Sequence, residues 1–497
     1  MKMTLYKTLW EDAKIVQAQE EVAVTEESAE PRAVEMQVLN VYPQVAYQTI
    51  DGFGGAMTEA AGYALSKLSA ADRKAAIDAY FGEGGNNATI LRTHIDSCDF
   101  SVGMYQAVAD VNADPDFATF TLDRDRKYII PAIKDAMAAS DKPLSVLLSP
   151  WSPPAEWKYP SQMLKNMGSP EDLRKMFPPE LSDTEIKAAN PMVAHMLEAL
   201  ENPSDGGTRC FGGHLKPEFY PNWARYMTKY IQGYLDEGIP VKWVSIQNEA
   251  MAATPWDSCQ WTAEEEKVFL RDHLYPEMEK AGLTGKVGIY IWDHNKERIF
   301  ERASDTLDAI TDPMVQGVAF HWYSGDHFDA VQMTHDAFPE KKLMFSEGCV
   351  EYSNSGDQTE INFGQRYAHD MIGNLNAGMN SFIDWNMYLD EKGGPNHVGN
   401  YCGAPIMLDG KGGYEKHVSY YYIGQFSRYI QPGAVRIGHS QYTDKLEATA
   451  VRNPDGSIAV VMLNRTEEEL PINVRICGKL ARFKMAPSSI ATAIITE

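Results

Sequence analysis

Two glutamates stand where apolar runs stop. Glu249 closes VKWVSIQNE, and Glu347 closes KLMFSE 98 residues later. Both runs have the β-branched and aromatic character of buried strands. If they are parallel staves of one (β/α)₈ barrel, their C-terminal ends face a common pocket and the carboxylates converge there. Two converging carboxylates suffice to cleave a glycosidic bond, one as acid/base and one as nucleophile. A glutamate buried at a strand end needs a partner or a raised pKa, and a general acid requires the latter. Asn248, just before Glu249, can hydrogen-bond a sugar hydroxyl, and Gly348, just after Glu347, lets the backbone turn tightly. Taken singly, each motif also reads as a strand-end cap. The pair points to chemistry.

Aromatic residues follow other apolar runs in the same way: Trp151 in SPWSPP, His321-Trp322-Tyr323 in AFHWYSGDH, and Trp385 in DWNMYLD. Indole rings stack on the C–H faces of sugars, so these residues are candidates for substrate binding. Asp99 in SCDFS offers acceptors to sugar hydroxyls. Arg92, inside the preceding run, either holds a catalytic carboxylate ionised or forms a structural ion pair within the barrel. The remaining motifs carry less. GFGGAM lacks the spacing of a dinucleotide loop and reads as close strand packing. The histidines of HFDAVQMTH are poorly spaced for a metal, and no GxSxG elbow occurs.

Eight runs supply the strands: 52–58, 88–96, 144–150, 242–249, 286–293, 315–323, 342–348 and 381–389. Segments between them, such as LSAADRKAAIDAYF, PNWARYMTKYIQGYLDEG and TAEEEKVFLRDHLYPEMEKAG, place apolar residues three and four apart, as amphipathic helices do. Alternating strand and helix implies a parallel sheet, and eight repeats imply closure. Two connections depart from this rhythm. Ser152 to Pro217 holds one helical pattern, LSDTEIKAANPMVAHMLEAL, and Asp390 to Gly413 is rich in Gly and Asn. Both are expected to be loops that shape the pocket. The chain ends read as short alternating strands with NPDG and TEEE turns. The fold class predicted is therefore α/β, a (β/α)₈ barrel over 49–430 with a side-docked all-β sandwich from 1–48 and 431–497.

The 497 residues are 44% hydrophobic and 23% charged, enough for a large core. A net charge of −24 without a basic run argues against a nucleic-acid partner. Six scattered cysteines without a CxxC pair suggest reduced thiols. No long apolar run suggests membrane insertion. The N-terminus lacks the apolar stretch of a signal peptide, so a cytoplasmic location is expected, or a secreted one if a leader was removed. The acidic segment before Pro31 is expected either to be partly disordered or to add a strand to the sandwich.

The motifs DGFGGAMTEAA, SCDFS, SPWSPP, NEA, HWY, SEGC and DWNMYLDEKGGPN occur in the order found in glycoside hydrolase family 30, and from about residue 45 onward the chain resembles that family. The resemblance implies a barrel with a sandwich built from both chain ends, and hydrolysis of β-glycosides with retention and without metal or organic cofactor. It implies that Glu249 is the acid/base and Glu347 the nucleophile. Asp99, Trp151, Asn248, Trp385 and Asn396 would line the glycone subsite, with Tyr323 near the nucleophile. A small glycoside or oligosaccharide would be the substrate. Two departures stand out: Ala250 replaces the family's proline after the acid/base, which is expected to loosen that turn, and Val350 to Gly364 diverges on the aglycone side. The expected activity is that of a β-glucosidase of glucosylceramidase type. Alternatives are an endo-β-1,6-glucanase, a β-fucosidase or β-xylosidase, and, from other classes, a non-catalytic carbohydrate-binding protein or a metal-dependent barrel isomerase. The isomerase would need more clustered ligands than the strand ends offer.

Overall fold

The computed structural model describes residues 1–27, 37–159, 161–166, 168–201, 208–350 and 360–497. Eight parallel strands close into a barrel: β1 (Gly52–Ala56), β2 (Ile90–Ile95), β3 (Ser145–Pro150), β4 (Val241–Ser245), β5 (Gly288–Asn295), β6 (Gly317–His321), β7 (Lys342–Glu347) and β8 (Ser381–Asn386). Along each strand, side chains alternate between two apolar environments. Ile90, Leu147, Trp243, Tyr290, Ala319, Met344 and Ile383 fill the barrel interior as one cluster. Their neighbours Leu91, Val146, Leu148, Val244, Ile289, Ile291, Leu343 and Phe345 face the helices in the main core. The period-two geometry of a strand produces this division. Glycine lets β1 lie against β2: a Cβ on Gly54 would come within 1.6 Å of the Ile90 carbonyl oxygen. The GFGGAM motif is thus a packing device, as its spacing suggests.

A ten-stranded sheet built from both chain ends folds around a second core. Its N-terminal strands Lys2–Glu11 and Val38–Thr49 lie among C-terminal strands, the first beside Ser489–Thr496 and the second between Val435–Ser440 and Leu470–Ile476. It docks on the barrel through apolar contacts, with Val451, Ala459, Val461, Leu463 and Ile490 joining the main core, and through polar ones. Gln425 donates to Thr8 at 2.7 Å, and His369 pairs with Glu447 at 2.5 Å and with Asp326 at 3.0 Å.

Three predicted elements differ in detail. The helical pattern after β3 is two helices, Asp183–Ala189 and Pro191–Glu201. Asn190 between them is extended, as a residue before proline prefers. These helices and Pro170–Arg174 share a small core of Leu173, Ile186, Val193 and Leu197. The eighth predicted run outlasts its strand, because Tyr388 and Leu389 leave the barrel and pair with Ile406–Leu408 in a separate small sheet. β4 stops at Ser245, so Asn248 and Glu249 lie in the turn beyond it. Most of the divergent stretch after the nucleophile, residues 351–359, lies outside the described residues, as does part of the acidic segment around Pro31. Among the described residues no helix is long and apolar enough to cross a membrane.

Candidate active site

Arg92 organises the floor of the pocket. Fully buried on β2, it donates from Nη1 to Glu347 Oε2 at 2.5 Å and from Nη2 to Asn248 Oδ1 at 2.7 Å. Nη2 also reaches Asp293 Oδ2 at 3.0 Å, and Nε donates to Ser149 Oγ at 3.1 Å. The planar guanidinium fork matches several acceptors at once, which a lysine ammonium does not. With its amide oxygen turned to Arg92, Asn248 leaves its NH₂ for a ligand.

Asp293 is the counter-charge beneath. It accepts from Ser245 Oγ at 2.6 Å, Ser346 Oγ at 2.5 Å and His321 Nε2 at 3.1 Å. Burial alone would raise its pKa, but Arg92 and His321 outweigh burial and hold it far below the carboxylate range. The backbone aims it there. Trp292 and Asp293 both have left-handed φ, 72° and 49°, and the register with β6 shifts at this point. Such a bulge sends Trp292 to the main core and turns Asp293 inward.

Glu249 sits in its turn with φ of 49°. Its N–H donates to the Asp293 carbonyl at 2.8 Å, Ala252 N–H donates back to the Glu249 carbonyl at 2.7 Å, and Trp261 N–H holds the Ala250 carbonyl at 2.7 Å. The turn is pinned without the proline whose absence was expected to loosen it. The Glu249 side chain meets His321 Nδ1 at 3.2 Å through Oε1. Burial pushes Glu249 up, but His321, His294 and Arg92 prevail and hold it below its ordinary value. Burial likewise pushes His321 down, yet Glu347, Asp293 and Glu249 around it raise it to about 9.

Glu347, at the end of β7, is 5% exposed and receives Arg92 on Oε2 and the Tyr323 hydroxyl on Oε1 at 3.0 Å. Burial, foremost, and the charge of Glu249 push its pKa up against His321 and Arg92. One donor atom from each of Glu249, His321 and Glu347 lies within 4.8 Å of the others. Arg92 and Tyr323 each already donate to one oxygen of Glu347, and Asp293 accepts from His321 Nε2.

Beside the carboxylates, Trp151 and Trp385 stack at 5.3 Å and 21°, with the Arg92 guanidinium 4.8 Å from the Trp151 ring. Asp99 is buried and accepts from Asn396 Nδ2 at 3.3 Å. Burial, then the charges of Glu347 and Asp257, raise its pKa well above the ordinary value. Trp322 is placed elsewhere than the strand-end pattern suggests. Its ring packs in the main core 4.8 Å from Tyr367 and 5.8 Å from Phe345, behind the pocket rather than on its wall.

Two groups escaped the sequence reading. Asp293 ends the fifth run, with His294 next, just as Glu249 and Glu347 end theirs, so the same strand-end signal was available. The second is a buried clasp: Asp257 accepts from Ser97 at 2.8 Å, Arg209 at 2.9 Å and His397 at 2.9 Å. It ties together the loops after β2, β3, β4 and β8, and His397 N–H donates to the Asp99 carbonyl at 3.0 Å. No local pattern announces it.

A closed eight-stranded barrel whose strand ends carry two facing carboxylates, an arginine fork and stacked indoles defines a barrel glycoside hydrolase. Sequence comparison agrees: the glycosyl hydrolase family 30 TIM-barrel domain matches residues 50–172 and 192–430, and the family's beta sandwich domain matches 433–493. The chain belongs to glycosyl hydrolase family 30. It is 30% identical over 455 residues to mouse lysosomal acid glucosylceramidase, covering 88% of this chain and 79% of that protein. Among solved structures, SrfJ from Salmonella typhimurium superposes with a TM-score of 0.86 at 32% identity, covering all of both chains. The endo-beta1,6-glucanase BT3312 superposes at 0.79 with 26% identity, covering 99% of each.

Proposed function

We propose that the protein is a retaining exo-β-glycosidase that releases terminal β-linked glucose by double displacement. The reading rests above all on the Glu249–Glu347 pair, with oxygens within 4.8 Å, because retaining enzymes hold their carboxyl groups at about 5 Å and inverting ones wider. Arg92 and Tyr323 donate one to each oxygen of Glu347 and favour its charged, attacking form. Glu347 attacks the anomeric carbon, the C1–O bond breaks, and Glu249 gives its proton to the departing oxygen. A bound sugar strips remaining water from Glu249, and desolvation raises a carboxyl pKa, so binding itself favours the acid form. Water then attacks C1, Glu249 takes its proton, and the bond to Glu347 breaks. The Asp99 carboxyl, the Asn248 amide and the paired indoles of Trp151 and Trp385 recognise the sugar.

Cleavage within a β-1,6-glucan is the second reading, supported by the full-length likeness to BT3312. One assay separates them. 4-Nitrophenyl β-D-glucoside is offered beside the fucoside, xyloside and galactoside, and pustulan beside all four, with Glu347→Gln as control. Release from the glucoside, lost by orders of magnitude in the variant, is the expected result. Pustulan cleavage to oligosaccharides, with the aryl glucosides untouched, would replace exo by endo action. Silence on every substrate from a folded protein would leave a carbohydrate-binding protein.

A further inference from the structure

His294 is the group around the carboxylates that the double displacement leaves without a task. It is the next-to-last residue of β5, beside the bulge that turns Asp293 inward, and its ring lies 5.1 Å from Trp292. Its Nδ1 accepts the Met251 N–H at 3.4 Å. The neutral ring therefore carries its proton on Nε2. That N–H faces Glu249 Oε1 at 4.0 Å. His321 Nδ1 approaches the same oxygen at 3.2 Å from the other flank. Two imidazoles thus converge on Oε1 and none of the described hydrogen bonds engages Oε2. The 4.0 Å gap is long for a resting hydrogen bond, but contacts to catalytic groups commonly tighten only once substrate is bound.

Resting on the glycosidase reading above, we propose that His294 is a positioning residue for the acid/base. Together with His321 it anchors Glu249 through Oε1, so that Oε2 is the oxygen that hands its proton to the leaving group and later takes one from water. The carboxyl must turn one particular edge toward the glycosidic oxygen, and two donors on the opposite atom fix that edge. The charges facing this pair are Asp293 and Glu297 from the same strand and its following turn, His321 from β6, Arg92 from β2 and Glu347 from β7.

The test uses two glycosides of the sugar the wild type prefers. An alkyl glycoside cannot leave without a proton, whereas a 2,4-dinitrophenyl glycoside departs unaided. His294→Leu is expected to lower kcat/KM on the alkyl glycoside roughly 10- to 100-fold, the range for losing a hydrogen bond to a charged group. On the dinitrophenyl glycoside the change should stay within about 3-fold. His294→Gln, whose amide can present an N–H near the position of Nε2, should recover most of the alkyl activity. His294→Asn, too short to reach, should show the selective loss even if the leucine variant misfolds. Equal losses on both glycosides, or no loss, would overturn the role of His294 alone. A wild type inert on both would overturn the glycosidase reading with it.

Discussion

Arg92 and Glu347 are 255 residues apart in the chain and 2.5 Å apart in the pocket, joined through Nη1 and Oε2. The same guanidinium reaches Asn248, Asp293 and Ser149, so one side chain sets the relative positions of β2, β3, β5 and β7 and of the turn after β4. Arg92→Lys keeps the charge and removes the fork. Turnover is expected to fall roughly 10²- to 10³-fold, comparable to losing one preorganised donor at a reacting charge. Thermal unfolding should drop as well, since breaking a buried ionic network costs about 3–5 kcal/mol. A lysine variant with wild-type kcat would show that a point charge is enough at this position.

The alkaline limb of activity belongs to Glu249, which must be protonated to act as the acid. His321, charged until about pH 9, lowers the Glu249 pKa by its hydrogen bond and its charge. Replacing it by His321→Gln removes the charge, so the Glu249 pKa rises and the alkaline limb of kcat/KM moves to higher pH while the maximum falls. A pH–rate profile of both enzymes on one aryl glycoside reads this directly. A limb that moves down, or stays, would assign it to another group.

The Asp257 clasp should govern binding more than chemistry. Asp257→Asn weakens the ties to Arg209 and His397, and His397 is bonded through its backbone to the Asp99 carbonyl in the glycone wall. KM is expected to rise about 10-fold with kcat changed less, the signature of lost binding shared by ground and transition states. A fall in kcat at constant KM would place the clasp in the reaction itself.

Barrel and sandwich share a titrating contact. His369 lies between Glu447 of the sandwich and Asp326 of the loop after β6, and the hydrogen bond to Glu447, offset in part by burial, raises its pKa. A raised histidine adds stability that is complete below its unfolded value of about 6.5 and is lost as pH rises through the folded value. The melting temperature of His369→Gln should therefore lie furthest below wild type in mildly acidic buffer, the gap closing as the buffer becomes alkaline. A gap independent of pH would mean that packing, not charge, makes this contact.

What the sequence alone determined was everything carried by local pattern. Alternating apolar runs and helical spacings define eight strands and most helices, and residues at or beside the strand ends, Glu249, Glu347, Trp151 and Trp385, reach the pocket because the C-terminal ends of a closed barrel's strands open on it. Tertiary structure decided which neighbours face inward. At Trp292-Asp293 two left-handed residues shift the register, and a shift of one residue reverses the face a side chain takes, so Asp293 became the buried counter-charge that simple alternation does not reveal. Trp322 went the other way, into the core. The clasp of Ser97, Arg209, Asp257 and His397, like the double approach of His294 and His321 to Glu249, joins residues far apart in sequence. Such contacts leave no periodic trace, because closure of the barrel creates them rather than any preference of the chain nearby.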